Sequence, residues 1–342
     1  MANNSDWIRC QSIGHGAFAN VNLAKPTNQS SHFPPLMAIK SSPMDQPTST
    51  SLLMNEFKIL NELQNCPEIV TCYGDCFTVE NGEKLYNVVL EYAAGGSLAD
   101  KVNSSENSKL PENEVRRYIK SVLKGLQFIH RKGFVHCDIK LQNVLVFSGD
   151  NVKIADFGLA KTAAPAEEDC TFKCEIRGTP MYMAPETVTG GEQGPESDIW
   201  AVGCLVSEMI TGKPVWNCSD IGSLLMKIGL SDDVPDVPEK LSDAGKDFIR
   251  QCFVKEKSKR WTADRLLNHP FIVGNEEILT SSPRNPFDFP EWESEELMVT
   301  PVLSVGSECW VEVETVSPMS RLRQLLTEGA NWSSTSSWVI VR

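Results

Sequence analysis

The apolar residues of this chain change their period once, near residue 91, and that change limits the architecture more than any other feature. Before it, "VNLAK", "MAIK" and "YNVVLEY" read as short strands, with β-branched and aromatic residues between turn formers. One stretch interrupts them. "SLLMNEFKILNEL" sets Leu52, Leu53, Phe57, Leu60 and Leu63 at helical spacing. "KPTNQSSHFPP" reads as a strand connection. Beyond Gly95 the pattern is helical. In "ENEVRRYIKSVLKGLQFIHRKG", Val115, Ile119, Val122, Leu123 and Leu126 line one face, and Gly133 ends the helix. "DIWAVGCLVSEMITG" is apolar on nearly every face, which predicts a buried helix; "AGKDFIRQCF" and "TADRLLNHPF" read as ordinary surface helices. The fold class expected is α+β. A strand-rich lobe covers residues 7–91 and a larger helical lobe 92–272, after an extension at 1–6. From 273 to 342 serine, proline and acidic residues accumulate without period, so a tail largely disordered on its own is expected.

Charge and cysteine usage exclude several classes. The net charge of −13 argues against non-specific binding to nucleic acid or anionic membrane, both of which need a basic face. The tail holds 11 acidic and 4 basic residues from position 273 on, more than half of that excess. No apolar run is long enough to cross a bilayer, and "MANNSDWIRC" has neither the basic nor the apolar region of a secretory signal. Eleven cysteines are scattered without a Cys-x-x-Cys pair, the closest sets being Cys72/Cys76 and Cys170/Cys174; they read as reduced thiols packing as small hydrophobes.

Four motifs carry chemistry. In "IGHGAFANV", Gly14 and Gly16 would let backbone approach phosphates, and Val21 would cover a flat base, although the stretch alone also fits a hairpin turn. Ala19 stands where a third glycine would, at roughly 1 kcal/mol if a positive φ is needed there. "MAIK" supplies Lys40 on a strand and the next helix supplies Glu56, a pairing suited to gripping α- and β-phosphates. In "FVHCDIKLQN", Asp138 would orient a hydroxyl and accept its proton, Lys140 would neutralise a phosphoryl group in transfer, and Asn143 would hold magnesium. "KIADFGLA" follows: Asp156 is the second metal-ligand candidate, with Phe157 packing under it and Gly158 giving backbone freedom.

In this order the motifs resemble those of the eukaryotic protein kinases over residues 7–272. The resemblance implies a bilobal kinase fold with ATP and Mg2+ as cofactors. It implies that Ile13, Gly14, His15, Gly16, Ala17, Phe18 and Ala19 form the nucleotide loop. Val21, Ala38 and Leu145 would sandwich the base, with Leu90 as gatekeeper; the backbones of Glu91 and Ala93 would bond the base edge and Ser97 would reach the ribose. "GTPMYMAPE" would end an activation loop that starts at Asp156 and carries Thr162, Thr171 and Thr179. Glu186 would pair with Arg260 and Asp198 would brace the catalytic loop. Lys140 together with Thr179 resembles the serine/threonine rather than the tyrosine kinases.

Cys137 departs from the family pattern, which in many members has arginine there. A partly buried cation needs an anion, which activation-loop phosphorylation supplies. Cysteine makes no such demand, so activity independent of that phosphate is expected of this non-RD loop; Lys173 and Arg177 offer an alternative phosphate site. Asp138 is expected to disfavour a thiolate at Cys137 and so a redox role.

"CPEIVTCYGDCFTVENGE", "HCDIKLQNVL", "EIRGTPMYMAPE", "CFVKEKSKRWTADRLLNHPF" and "SPRNPFDFPEW" are similar to a compact plant group of MEKK-like MAP kinase kinase kinases. That resemblance implies a MAP kinase kinase substrate, stress or hormone signalling including abscisic acid responses, a monomer, and a place in the cytoplasm or nucleus. The tail's Trp292, Trp310, Trp332 and Trp338 point to burial on the kinase or on regulators that bind the tail. "RLRQLL" faintly resembles a docking peptide, and Ser282, Thr300 and Ser317, each before proline, are candidate phosphosites. Two other readings stay open: a nucleotide-binding scaffold that signals through the tail, and a general serine/threonine kinase with unrelated substrates.

Overall fold

Five antiparallel strands build the first layer of the computed structural model, which describes residues 6–15, 19–28, 33–163, 177–189 and 193–274. They are β1 (Trp7–His15), β2 (Asn20–Pro26), β3 (Met37–Pro43), β4 (Cys72–Glu80) and β5 (Glu83–Glu91), in the sheet order β1-β2-β3-β5-β4. Helix α1 (Pro47–Glu62) crosses from β3 to β4. Alternation along β3 explains why Met37, Ala38 and Ile39 are apolar in succession. Ala38 joins the main core with Leu53, Leu60 and Leu63 of the α1 segment, whereas Met37 and Ile39 join Trp7, Ala24, Phe33, Cys76 and Val89 on the other side. The strand connection at residues 27–36 thus buries Phe33 as a cover for the outer face.

The outer face ends in a polar network that draws on every strand of the sheet. The Arg9 guanidinium donates to both carboxylate oxygens of Glu80 (2.9 Å each), to Asn22 (3.2 Å), Ser41 (2.9 Å) and Asn87 (2.8 Å). All five planar donors of one side chain face acceptors, so a one-residue slip of any strand would strand a buried group.

The second layer is mainly helical. After α2 (Leu98–Ser104) comes α3 (Glu112–Arg131), whose five predicted core residues are all 1% exposed or less, and Gly133 follows at φ +78°. Short paired strands β6 (Phe134–Val135), β7 (Val144–Val146), β8 (Val152–Ile154) and β9 (Lys161–Thr162) frame the loops that carry the chemistry. Then come α4 (Pro185–Val188), α5 (Pro195–Thr211), α6 (Ile221–Leu230), α7 (Asp243–Cys252), α8 (Ala263–Leu267) and α9 (Pro270–Val273). Helix α5 is the buried one, and Gly212 closes it in the left-handed region (φ +68°).

Two expectations need correction. "TADRLLNHPF" is not one surface helix but two short ones. Pro270 has no N–H to continue α8, and His269 caps α9 by accepting from the Phe271 N–H (3.1 Å). Both segments do lie at the surface with one face turned inward: Leu266 and Phe271, like Phe248, Ile249 and Cys252 of α7, are fully buried, while Asp264, Arg265, Asp247 and Arg250 are exposed. In α1 the buried face runs through Thr50, Leu53, Glu56, Ile59 and Leu60, leaving Leu52 and Phe57 half-exposed. Among the described residues no helix is long and apolar enough to cross a membrane.

Candidate active site

Lys40 and Glu56 meet because β3 and α1 turn them toward each other across the inner face of the sheet. Lys40 Nζ lies 2.5 Å from Glu56 Oε2 and 2.9 Å from Asp156 Oδ1. Burial works against the lysine's charge, but the pull of Glu56 and then of Asp156 is stronger, and its pKa is raised. Burial also opposes ionisation of Asp156, yet Lys40 holds that carboxyl below its usual range. Asp156 itself stands at φ +66°, in the left-handed region, with Phe157 fully buried behind it against the His136 ring (4.8 Å between centroids). Asn55 of α1 holds the following turn, its Nδ2 donating to the carbonyls of Gly158 (3.0 Å) and Ala160 (2.9 Å).

The catalytic-loop candidates converge from the other side. Asp138 is 6% exposed. Its Oδ2 faces Lys140 Nζ (2.7 Å) and accepts from Asn143 Nδ2 (3.0 Å), while its Oδ1 accepts from the Thr179 hydroxyl (2.7 Å). Lys140 also donates to Thr179 Oγ1 (2.9 Å), closing a three-membered cluster. A carboxylate offers about four lone-pair sites, so one remains on Oδ1 for an incoming hydroxyl. Asn143 spends its nitrogen on Asp138, both side chain and carbonyl (2.8 Å), which leaves its oxygen available. With the free Oδ2 of Asp156, that makes two hard oxygen donors, the set a magnesium ion takes when phosphates and waters complete its shell. Among the described residues no group of three or more carboxylates, histidines or cysteines forms a metal cage. Ala19, Lys40, Glu56, Asp138, Lys140, Asn143, Asp156 and Thr179 all border one cleft of about 380 Å³.

Beneath the loop, Asp198 of α5 is 1% exposed and accepts three hydrogen bonds: from His130 Nε2 (2.8 Å), the His136 N–H (3.0 Å) and the Cys137 N–H (3.0 Å). This is the brace expected of it. Arg260 and Glu186 form the expected pair, bidentate at 2.6 and 2.9 Å, with the arginine side chain fully enclosed.

On the base side, Val21 pairs in register with both Gly14 and Lys40, Ala38 with Leu90, and Leu145 with Ser97. Ile13 is exposed, and His15 ties β1 to β2 through Asn20 (2.9 Å). The Glu91 N–H is committed to Thr71 O (2.9 Å) and its carboxylate to Lys153 (2.6 Å), so its carbonyl is the group left for a base edge. Ala93 lies on the half-buried segment after it. Ser97 differs from expectation. Its hydroxyl caps α2 in a capping box with Asp100, donating to Oδ2 (2.7 Å) and accepting from the Asp100 N–H (3.2 Å), so a ribose contact would have to replace one of these bonds. Thr162 is exposed on β9, paired with Phe134. Gly16, Ala17, Phe18, Thr171, Ser282, Thr300 and Ser317 lie outside the described residues.

Cys137 is 7% exposed at φ +69°, and its thiol pKa is raised, chiefly by burial and next by Asp198. The sequence pointed to Asp138 instead, whose influence is the smallest of these. Gln193 was missed altogether. It is 8% exposed, and Nε2 donates to the carbonyls of Arg177 (3.1 Å) and Cys137 (3.4 Å). Fifty-six positions separate Gln193 from Cys137, and no local pattern marks such a contact.

Comparison with known proteins agrees with this geometry. The protein kinase domain family model matches residues 7–272. Mitogen-activated protein kinase kinase kinase 20 of Arabidopsis thaliana is 43% identical over 98% of this chain and 100% of that protein. Kinase kinase kinase 18 of the same plant is 37% identical over 98% and 99%, and kinase kinase kinase 17 is 38% identical over 85% and 78%. The chain belongs to the protein kinase family and, within it, to the plant MEKK-like serine/threonine kinases.

Proposed function

We propose that this chain is an ATP- and Mg2+-dependent serine/threonine kinase that acts as a MAP kinase kinase kinase, phosphorylating activation-loop serine or threonine of a MAP kinase kinase. The observation that carries the reading is the cluster of Asp138, Lys140, Asn143 and Thr179 facing the Lys40–Glu56–Asp156 set across one cleft. The relatives, named as MAP kinase kinase kinases and matched over almost their full length, support the substrate class. A stress or hormone cascade, abscisic acid responses included, is the setting inferred from the same resemblance, with cytoplasm and nucleus as the compartments.

Each residue has a role that its position permits. Lys40, held charged by two carboxylates, would bind the α- and β-phosphates. Asn143 and Asp156 would hold magnesium, which when bound screens the phosphate charge. Asp138 would take the substrate hydroxyl on its remaining Oδ1 site, align it and accept its proton, while Lys140, already within reach of Asp138 and Thr179, would offset charge on the group in transfer. None of these steps uses a cation at position 137. Activity without an activation-loop phosphate follows.

The experiment uses phosphatase-treated enzyme, Mg-ATP and a catalytically disabled MAP kinase kinase, with Asp138→Asn alongside. Phosphate on the substrate's activation loop, lost in the variant by a factor of roughly 10²–10⁴, is expected. No transfer from the phosphatase-treated wild type would overturn the phosphate-independent reading. Transfer to other proteins but not to this substrate would overturn the cascade assignment.

A further inference from the structure

Two backbone turns meet beside Asp138, and neither is relaxed. Cys137 lies in the left-handed region, and its carbonyl oxygen sits so close to Gly178 that a Cβ there would come within 2.4 Å of it. Gly178 has φ +106°, a conformation that side chains rarely adopt. The next residue, Thr179, donates to Asp138 Oδ1 (2.7 Å). The catalytic loop and the returning end of the activation segment are therefore pressed together at one point, and something must hold them in that arrangement.

Gln193 fits that place. It is buried in the stretch just before α5, and its side-chain nitrogen lies between the carbonyl oxygens of Cys137 and Arg177, one from each turn. An amide nitrogen has two donors, one for each carbonyl. With two acceptors in front of it, the amide must present nitrogen rather than oxygen. Among the described residues its Oε1 is buried without a hydrogen-bond partner, so the orientation is set by the donor side, against a desolvation cost on the acceptor. At the preceding peptide, Asp198 holds the Cys137 N–H (3.0 Å), so Cys137 is fixed at both of its backbone polar groups.

We propose that Gln193 is a positioning residue that latches the returning activation segment to the catalytic loop, an uncharged bridge where a cation-phosphate link would otherwise be needed. The proposal rests on the kinase reading of the site and adds its means of control. The acceptor side of the cleft is set while the enzyme carries no phosphate, and the Gln193 amide donors set it.

Two variants of phosphatase-treated full-length enzyme test this. Gln193→Met keeps length and removes both donors. Gln193→Glu keeps shape as well; ionised it has no donor and faces two carbonyl oxygens, whereas protonated it regains one O–H. For Gln193→Met, kcat on the protein substrate is expected to fall on the order of 10- to 100-fold at every pH, with KM for ATP unchanged. For Gln193→Glu the same deficit is expected near pH 8 and should narrow as pH falls toward about 6, where a buried carboxyl reprotonates. A merely structural residue would not produce that difference between the two pH profiles. Amide hydrogen exchange at Gly178 and Thr179, read without substrate or turnover, should be faster in both variants near pH 8. Wild-type kcat in Gln193→Met, parallel pH profiles for the two variants, or unchanged exchange at Gly178 and Thr179 would overturn the latch. Because exchange needs no catalysis, it reports on the latch even if the wild type transfers phosphate to no MAP kinase kinase, an outcome that would instead sink the substrate assignment.

Discussion

At the scale of single residues, position 137 separates the proposed chemistry of the site from its proposed control. The groups proposed to touch reactants are Asp138, Lys140, Asn143, Lys40 and Asp156, and all meet in one cleft. Cys137 touches none of the reacting positions. It contributes a backbone held by Asp198 and Gln193 and a thiol that donates weakly to Val135 O (3.6 Å). Burial raises that thiol's pKa, so the nucleophilic thiolate is scarce at neutral pH, and the sulfur is enclosed as well. The measurable consequence is slow alkylation. On native protein treated with iodoacetamide and read by mass spectrometry, exposed Cys10 should label promptly while Cys137 stays unmodified until the fold is opened by denaturant. Prompt labelling of Cys137 in the folded enzyme would show a more open and more acidic thiol than this geometry allows, and would restore the redox reading.

At the scale of elements, caps and clamps do much of the positioning. Helix α2 begins with Ser97 and Asp100 satisfying each other's backbone donors, so Ser97→Ala should lower stability by about 1 kcal/mol. If the hydroxyl serves the cap alone, KM for ATP will stay within about twofold, well below the 1.4 kcal/mol that a tenfold change represents. A tenfold rise would mean that the hydroxyl leaves Asp100 for the ribose when nucleotide binds. The clamp between α4 and the segment before α8 is a stronger case. Arg260 is fully enclosed, bonds both oxygens of Glu186, and donates to the carbonyls of Glu196 (2.7 Å) and Val254 (2.9 Å). Arg260→Ala removes the cation that pairs with Glu186 and frees two buried carbonyls, so a loss of roughly 3–5 kcal/mol in denaturant unfolding is expected. A loss below about 1 kcal/mol, the size of an exposed ion pair, would refute the clamp.

At the scale of the whole molecule, what could be read in advance divides by the range of the interaction. Helix α3 was legible because a single period runs through 20 residues and its apolar face meets one continuous core. Lys40, Glu56, Asp138, Asn143 and Asp156 could be singled out because most of them stand in short motifs at recognisable spacing, and the structure brings all five to one cleft. Strands β6 and β9, two residues each, are too short to show any period. The Ser97 cap was visible as "SLAD", but an expected ribose contact competed with it. Gln193 and Asn55 could not be found at all. Their partners are backbone carbonyls, 16 and 56 positions away for Gln193 and more than 100 for Asn55, and a carbonyl carries no sequence signal.

The two layers are themselves joined by charge. Lys40 and Glu56 belong to the strand-rich layer and Asp156 to the helical one, so the ion pair at 2.9 Å is a tie between layers through a half-exposed carboxylate. A nucleotide with magnesium would bind between those same groups, and anything that binds only the folded state raises its stability by mass action. A non-hydrolysable ATP analogue with magnesium at about 100 times its dissociation constant should therefore stabilise the wild type by about 2.7 kcal/mol, read as a rise in Tm. The analogue without magnesium should give a smaller rise, through Lys40 and the base-side residues alone. Asp156→Asn keeps the shape but loses the anion, so the increment that magnesium adds should vanish while the metal-free increment persists. Lys40→Met should reduce both. If magnesium still adds its full increment in Asp156→Asn, the metal is held elsewhere and the pairing of Asn143 with Asp156 as its ligands is wrong. If neither variant changes either increment, the cleft bordered by Lys40 and Asp138 is not where nucleotide binds.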